Sequence, residues 1–201
     1  MLSGDALDNV WTGAAFHLFC MAKNDNVTSS NGAILTKNAG GADNQRAFAY
    51  YIRTSKLQLV TLYDLDGNNF SIVDGSTSIS NSAWTIGTAA YTSTGSGSAN
   101  TASRVQMTVN GEDQAEVVNL FTGNLGTIQN GAAQLAVGSI AGTAGTLNAA
   151  SLTGAIGEII VTASALSTLN RQRIEGYLAH KWGLTANLPN DHPYKTVGPT
   201  P

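Results

Sequence analysis

Helical periodicity appears once in this 201-residue chain, near its end, and everything before it reads as β. Ile174, Tyr177, Leu178 and Trp182 recur at i, i+3, i+4 and i+8 and make one apolar stripe that would seat a helix. Ser167 stands where a hydroxyl can accept from a first-turn amide. Gly183 follows as the residue able to turn left-handed, with Leu184 placed to cover the last turn. Pro189 and Pro193 then forbid regular structure. Ahead of the helix, residues 156–162 are apolar and β-branched, which predicts a fully buried strand. The expectation is one short helix over about 167–182 lying on a sheet, followed by an extended tail over 186–201.

Upstream, turn signals recur at strand-length intervals, as an all-β domain requires. Ser30-Asn31-Gly32, Asp66-Gly67-Asn68-Asn69, Asp74-Gly75 and Asn110-Gly111 are reversals, because Asn, Asp and Gly tolerate positive φ. Residues 92–102 and 140–150 are small-residue loops, rims of the kind where binding residues concentrate. Only 11% of residues are charged, but 42% are hydrophobic, so the polarity is that of sheet faces and turns rather than of disorder. No internal repeat suggests a solenoid or propeller. A chain this long buries a substantial core, and all-β sandwiches of this size stay undivided. A single domain over 1–201 is expected, with its strands between about 14 and 163.

Three runs near the C-terminus carry a family likeness: Gly157-Glu158-Ile159-Ile160-Val161, then Ile174-Glu175-Gly176-Tyr177-Leu178-Ala179-His180-Lys181-Trp182-Gly183-Leu184, then Leu188-Pro189 with His192-Pro193-Tyr194-Lys195. Together, over about 154–195, they resemble the C-terminal signature of concanavalin A-like, laminin-G-type β-sandwich domains of phage virion proteins and large bacterial surface proteins. Upstream the likeness is one of pattern, with strands expected over 16–22, 32–37, 47–53, 57–64, 84–92, 104–111 and 134–138. The resemblance implies an antiparallel two-sheet jelly-roll sandwich with one short C-terminal helix. Such domains usually carry a segment and a first strand ahead of the position of Leu2, for which this chain has little room. A sandwich short of a strand exposes an edge, so a neighbouring chain over that edge, or a partial form of a longer protein, is expected.

The net charge of −3 and pI near 5.5 leave no basic stripe to release counterions from phosphate, which argues against nucleic acid and anionic membrane. No apolar run is long enough to span a bilayer, and no basic region followed by an apolar core marks a secretion signal. The lone Cys20, in a strand apolar on both faces, reads as a buried thiol.

Catalytic chemistry finds little purchase. Glycosidases on such sandwiches set carboxylates close together on one strand, and that pattern is absent. Glu112 and Glu116 follow a turn and read as hairpin decoration. Glu158, alone on an apolar strand, reads as a hydrogen-bonding or ion-pairing anchor for the helix. His17, His180 and His192 share no ligand spacing. Two binding readings stay open. Asp64, Asp66 and Asn68 offer hard oxygens at alternate positions, suited either to calcium or to a capped hairpin turn. Sugar stacking needs exposed aromatic faces, for which Trp84, Tyr91 and Tyr63 are the candidates. Tyr50 and Tyr51 are adjacent on a strand, so at most one is expected in the core; Trp11 and Trp182 are assigned to packing.

These readings, with the resemblance, lead to a non-enzymatic virion structural protein, such as a decoration, fibre or tail-associated subunit. Its sandwich docks on other virion proteins or identical subunits at the particle's exterior and contacts host glycans. The alternative is a calcium-assisted carbohydrate-binding module of an extracellular or cell-surface protein. No other cofactor is implied.

Overall fold

The computed structural model describes residues 10, 14–29, 32–38, 46–62, 69–93, 104–115, 117–122, 128–130, 133–141 and 150–200. One strand, β1 (Ala15–Asn24), shows how the layers arise. Its side chains alternate, and both sides are apolar. Phe16, Leu18, Cys20 and Ala22 join the principal core, whereas Phe19 and Met21 join a second one beneath a helix. A strand buried on both faces must lie inside a three-layer stack, and that is where β1 sits.

The remaining strands are β2 (Ala33–Asn38), β3 (Arg46–Arg53), β4 (Lys56–Leu62), β5 (Phe70–Asp74), β6 (Thr85–Thr92), β7 (Val105–Val109), β8 (Glu112–Asp113), β9 (Val117–Thr122), β10 (Leu135–Val137) and β11 (Gly154–Thr162). Among the described residues the strands form a five-stranded sheet in the order β11-β1-β6-β7-β8 and a six-stranded sheet in the order β10-β2-β3-β4-β5-β9. Every ladder is antiparallel. This is the jelly-roll sandwich the sequence implies. The strands β5, β8 and β9 fall outside the expected ranges.

Between the sheets the core is aromatic at one end. Phe16 stacks on Tyr91 at 5.4 Å and lies 6.1 Å from Phe48. Each such ring contributes about 1.5–3 kcal/mol by leaving water. Cys20 Sγ donates to Tyr50 Oη at 3.7 Å, and burial pushes the thiol up to about 11. Tyr51, which period-two alternation sends to the opposite side, is also buried, in a small cluster with Ala33 and Ala49 on the outer face of the six-stranded sheet. Both tyrosines are therefore inside, contrary to the expectation of one, because Val60, Ile140 and the Arg53 guanidinium, 4.3 Å from the ring centre, cover that face.

The helix α1 (Thr168–Trp182) lies on the five-stranded sheet. Ser167 caps it by accepting from Asn170 N–H, and Gly183 ends it at φ 70°, where only glycine sits without strain. Its buried residues are Glu175, Gly176, Leu178 and Ala179. The predicted stripe is thus corrected: Leu178 is buried and Ile174 half-buried, but Tyr177 and Trp182 are each 40% exposed. The helix is turned toward Glu175, which meets the Thr88 and Thr108 hydroxyls of the sheet, while Leu178 and Ala179 pack with Phe19, Met21 and Ile86 beside them.

Two further expectations change. Residues 156–162 are not a fully buried strand; among the described residues β11 is the outermost strand of its sheet, and most of it is half-exposed. The tail is not extended either. A 3₁₀ turn over Thr185–Asn187 is followed by reversals in which His192 N–H donates to Pro189 and Lys195 N–H to His192. This strap crosses the back of α1, where Tyr194 packs over Gly176 so closely that no larger residue fits.

Candidate functional site

Three polar groupings line the helix-bearing face, and they differ in what they can do. The first is closed. Glu175 is wholly buried, and its Oε1 accepts from Thr108 at 2.6 Å, from Thr88 at 3.2 Å and from Arg171 Nη1 at 2.9 Å. Its Oε2 lies 3.4 Å from His192 Nε2 on the strap. Thr88 and Thr108 are register partners across β6 and β7, so the sheet itself aims both hydroxyls at one oxygen. Burial pushes this carboxyl up, but His192, the charge of Arg171 and the bond from Thr108 outweigh it and hold it below its ordinary value. Arg171 continues to Asp113 at 2.9 Å. Two polar cavities, of about 220 and 180 Å³, flank this bridge and share Asp113, Thr168 and Arg171. His17 borders the larger, its Nδ1 accepting from Leu166 N–H, and burial lowers its pKa. The grouping joins sheet, helix and strap; its acid is fixed as an anion and closed to a substrate.

The second grouping clasps the helix C-terminus to β11. Glu158 Oε1 accepts from Tyr177 Oη at 3.0 Å, and Oε2 accepts from Trp182 Nε1 at 3.0 Å and pairs with Lys181 at 2.9 Å. Burial pushes Glu158 up; hydrogen bonds from Trp182, Lys181 and Tyr177 overcome this and lower it. The Lys181 ammonium also lies 5.2 Å from the Tyr177 ring centre and 5.7 Å from that of Trp182.

The third grouping is open. Trp84, just before β6, is 36% exposed. The reversal that carries it is pinned to the loop after β1: Ser82 N–H donates to Asn24, and Val27 N–H donates to Asn81 Oδ1 at 2.8 Å. Asn187 Nδ2 donates to the Trp84 carbonyl at 3.5 Å. Lys23 Nζ stands 5.9 Å from the indole centre and pairs with Asp25 at 3.0 Å. The Asp25 carboxyl is lowered by a hydrogen bond from Ser82 and then by Lys23. An aromatic face, an ammonium, a carboxylate and the exposed Asn81 and Asn187 thus meet at one rim. That set can stack on the apolar face of a pyranose and exchange hydrogen bonds with its hydroxyls.

Sequence reasoning nominated Trp84, and the structure sets it in the open. Tyr91 is corrected: it is fully buried against Phe16, because its place in β6 points into the sandwich. Tyr63 and the calcium candidates Asp64, Asp66 and Asn68 lie outside the described residues, as do Trp11 and Glu116. Among the described residues no cluster of His, Cys, Asp or Glu is composed to hold a metal, and no helix is long and apolar enough to cross a membrane. Lys23, Asp25 and the whole Glu175 cluster were not foreseen. Glu175 could have been found as a charge placed one residue from Ile174 and three from Leu178, on the apolar side of the helix.

No protein-family model matches the chain, and no curated protein matches it in sequence. Among solved structures it is similar to a native heptameric SAP-like pentraxin from Limulus polyphemus, at 16% identity and TM-score 0.52, over 83% of this chain and 70% of that one. It is also similar to the Ruminococcus gnavus IT-sialidase CBM40 bound to α2,3-sialyllactose, at 19% identity and TM-score 0.53, over 81% of this chain and 83% of that one. A third is botulinum neurotoxin type C, whose cell entry depends on two ganglioside molecules. There the identity is 11% and the TM-score 0.55, over 85% of this chain but only 38% of that one. At these identities the likeness establishes the fold alone: an antiparallel jelly-roll β-sandwich.

Proposed function

We propose that this chain is a non-enzymatic, lectin-like sandwich that works on the exterior of a virion, docked on other virion proteins, and that it holds a glycan at Trp84. The observation that carries the glycan reading is the open indole with Lys23, Asp25, Asn81 and Asn187 around it. Support comes from a sandwich of similar fold, a CBM40, whose structure holds α2,3-sialyllactose. The virion reading rests on the C-terminal signature over residues 154–195. The site acts by stacking and hydrogen bonding: the indole excludes water from one sugar face while Asp25 accepts from hydroxyls and Lys23 donates to them. Lys23 and Asp25 supply one donor and one acceptor beside the indole, and the site as read uses no bridging cation. Glu175 supports the non-enzymatic reading, since the one fully buried acid among the described residues has all its bonds committed within the protein.

A glycan array run with calcium and again with chelator tests this. Binding that survives chelator and disappears in Trp84→Ala, with Tm unchanged, supports the site. Binding indifferent to Trp84→Ala moves it elsewhere. No binding, with stable incorporation into particles, leaves only the structural role. Turnover of a polysaccharide would overturn the non-enzymatic assignment.

A further inference from the structure

Among the described residues β11 is hydrogen-bonded on one side only, to β1. Its two faces are both covered: Ile156, Ile159 and Val161 pack on the principal core and Ile160 on the helix layer. Yet most of the strand remains half-exposed, whereas eight of the ten residues of β1 are buried. Among the described residues, then, the exposure lies along the edge of the strand that faces away from β1. Natural edges are blunted by shortness, proline or charge. The opposite edge of the same sheet, β8, is two residues long and wholly acidic. By contrast, β11 runs for nine residues with no proline and no cation, and Glu158 is its single charge. A bulge between the partners of Met21 and Ala22 interrupts its first part, but residues 158–162 pair one to one with β1 and present a straight edge. The half-exposed rings of Tyr177 and Trp182 flank that edge through their bonds to Glu158.

We propose that residues 158–162 form a twofold interface with a second copy of this chain, joining two five-stranded sheets into one. The segment is self-complementary in one register. Centred on Ile160, an antiparallel pair sets Ile160 against its counterpart, Ile159 against Val161 of the second copy, and Glu158 against Thr162 of the second copy. Facing side chains then match apolar with apolar and polar with polar, on both faces of the sheet. A centre at Glu158 would oppose two carboxylates, and a centre at Ile159 would run into the bulge at Gly157. This self-matching favours a second copy over an unrelated strand.

The test is light-scattering mass across a concentration series, with hydrogen exchange on the native chain. A dimer is expected, with the outward amides of residues 158–162 protected at high concentration and released on dilution. Thr162→Lys places a cation opposite Glu158 twice per dimer and should tighten association about fivefold, while Thr162→Glu should weaken it about as much. Ile160→Lys sets two cations face to face and should give a folded monomer. A monomer at every concentration with freely exchanging outward amides would overturn the proposal. So would equal responses to Thr162→Lys and Thr162→Glu. The exchange measurement decides the matter even if a variant fails to fold.

Discussion

Removing the carboxylate at the centre of the Glu175 cluster should destabilise the protein more than any other single polar change on this face. Glu175→Ala orphans the Thr88 and Thr108 hydroxyls, leaves His192 without its partner and leaves Arg171 with Asp113 alone. Breaking a buried pair in this way costs about 3–5 kcal/mol. For a chain of this size that lowers Tm by about 10 °C. Thr108→Val keeps the shape and removes only the 2.6 Å bond, a charge-assisted one worth about 1.5–3 kcal/mol. Because both changes act on the same bond, the double variant should cost little more than Glu175→Ala alone. The assay is urea unfolding followed by tryptophan fluorescence, with all three variants on one m-value. Strict additivity, or a Thr108→Val cost below about 0.5 kcal/mol, would refute the claim that sheet, helix and strap are joined through this carboxylate.

Glu175 and Glu158 are both held below their ordinary values, so the stability they confer is present above the unfolded carboxyl range near about 4.3 and is lost as pH falls through their folded values. The lowered His17 adds a smaller loss that begins below about 6.5. Tm should therefore decline from pH 7 to 5 and steeply below 4; a flat profile to pH 3 would contradict this. Cys20, buried and raised to about 11, should resist thiol reagents in the native chain and react only on unfolding, with equal rates in both states as the contrary result. Tyr91→Ala should cost about 3–5 kcal/mol in urea melts, whereas Trp84→Ala should stay within about 1 kcal/mol. A reversal of that order would mean the two aromatics have been assigned to the wrong environments.

Much of the architecture was legible because it is written in local periodicity. The strand at β1 announces burial on both sides by being apolar at every position from Phe16 to Met21 except His17. The strand at β9, Val117-Val118-Asn119-Leu120-Phe121-Thr122, carries the same kind of apolar run after its turn. The Trp84 site was half legible. An aromatic at a strand start is visible, but Lys23 and Asp25 come from the far end of β1, and nothing local links positions 23 and 84. Tyr91 failed for the complementary reason: which face of β6 points inward is decided by the sheet opposite, not by β6 itself.

What the sequence determined by itself is the alternation of strands and turns, the single capped helix from Ser167 to Gly183 and the absence of a recognisable catalytic pattern. Only the tertiary structure decided that the helix buries Glu175 in place of Tyr177 and Trp182, that Tyr51 is covered, and that β11 stands outermost in its sheet among the described residues. The reason is physical. Periodicity records which side of an element is apolar, but a buried charge depends on the partners that meet it. Thr88, Thr108, Arg171 and His192 converge on Glu175 only once the sheet, helix and strap have packed.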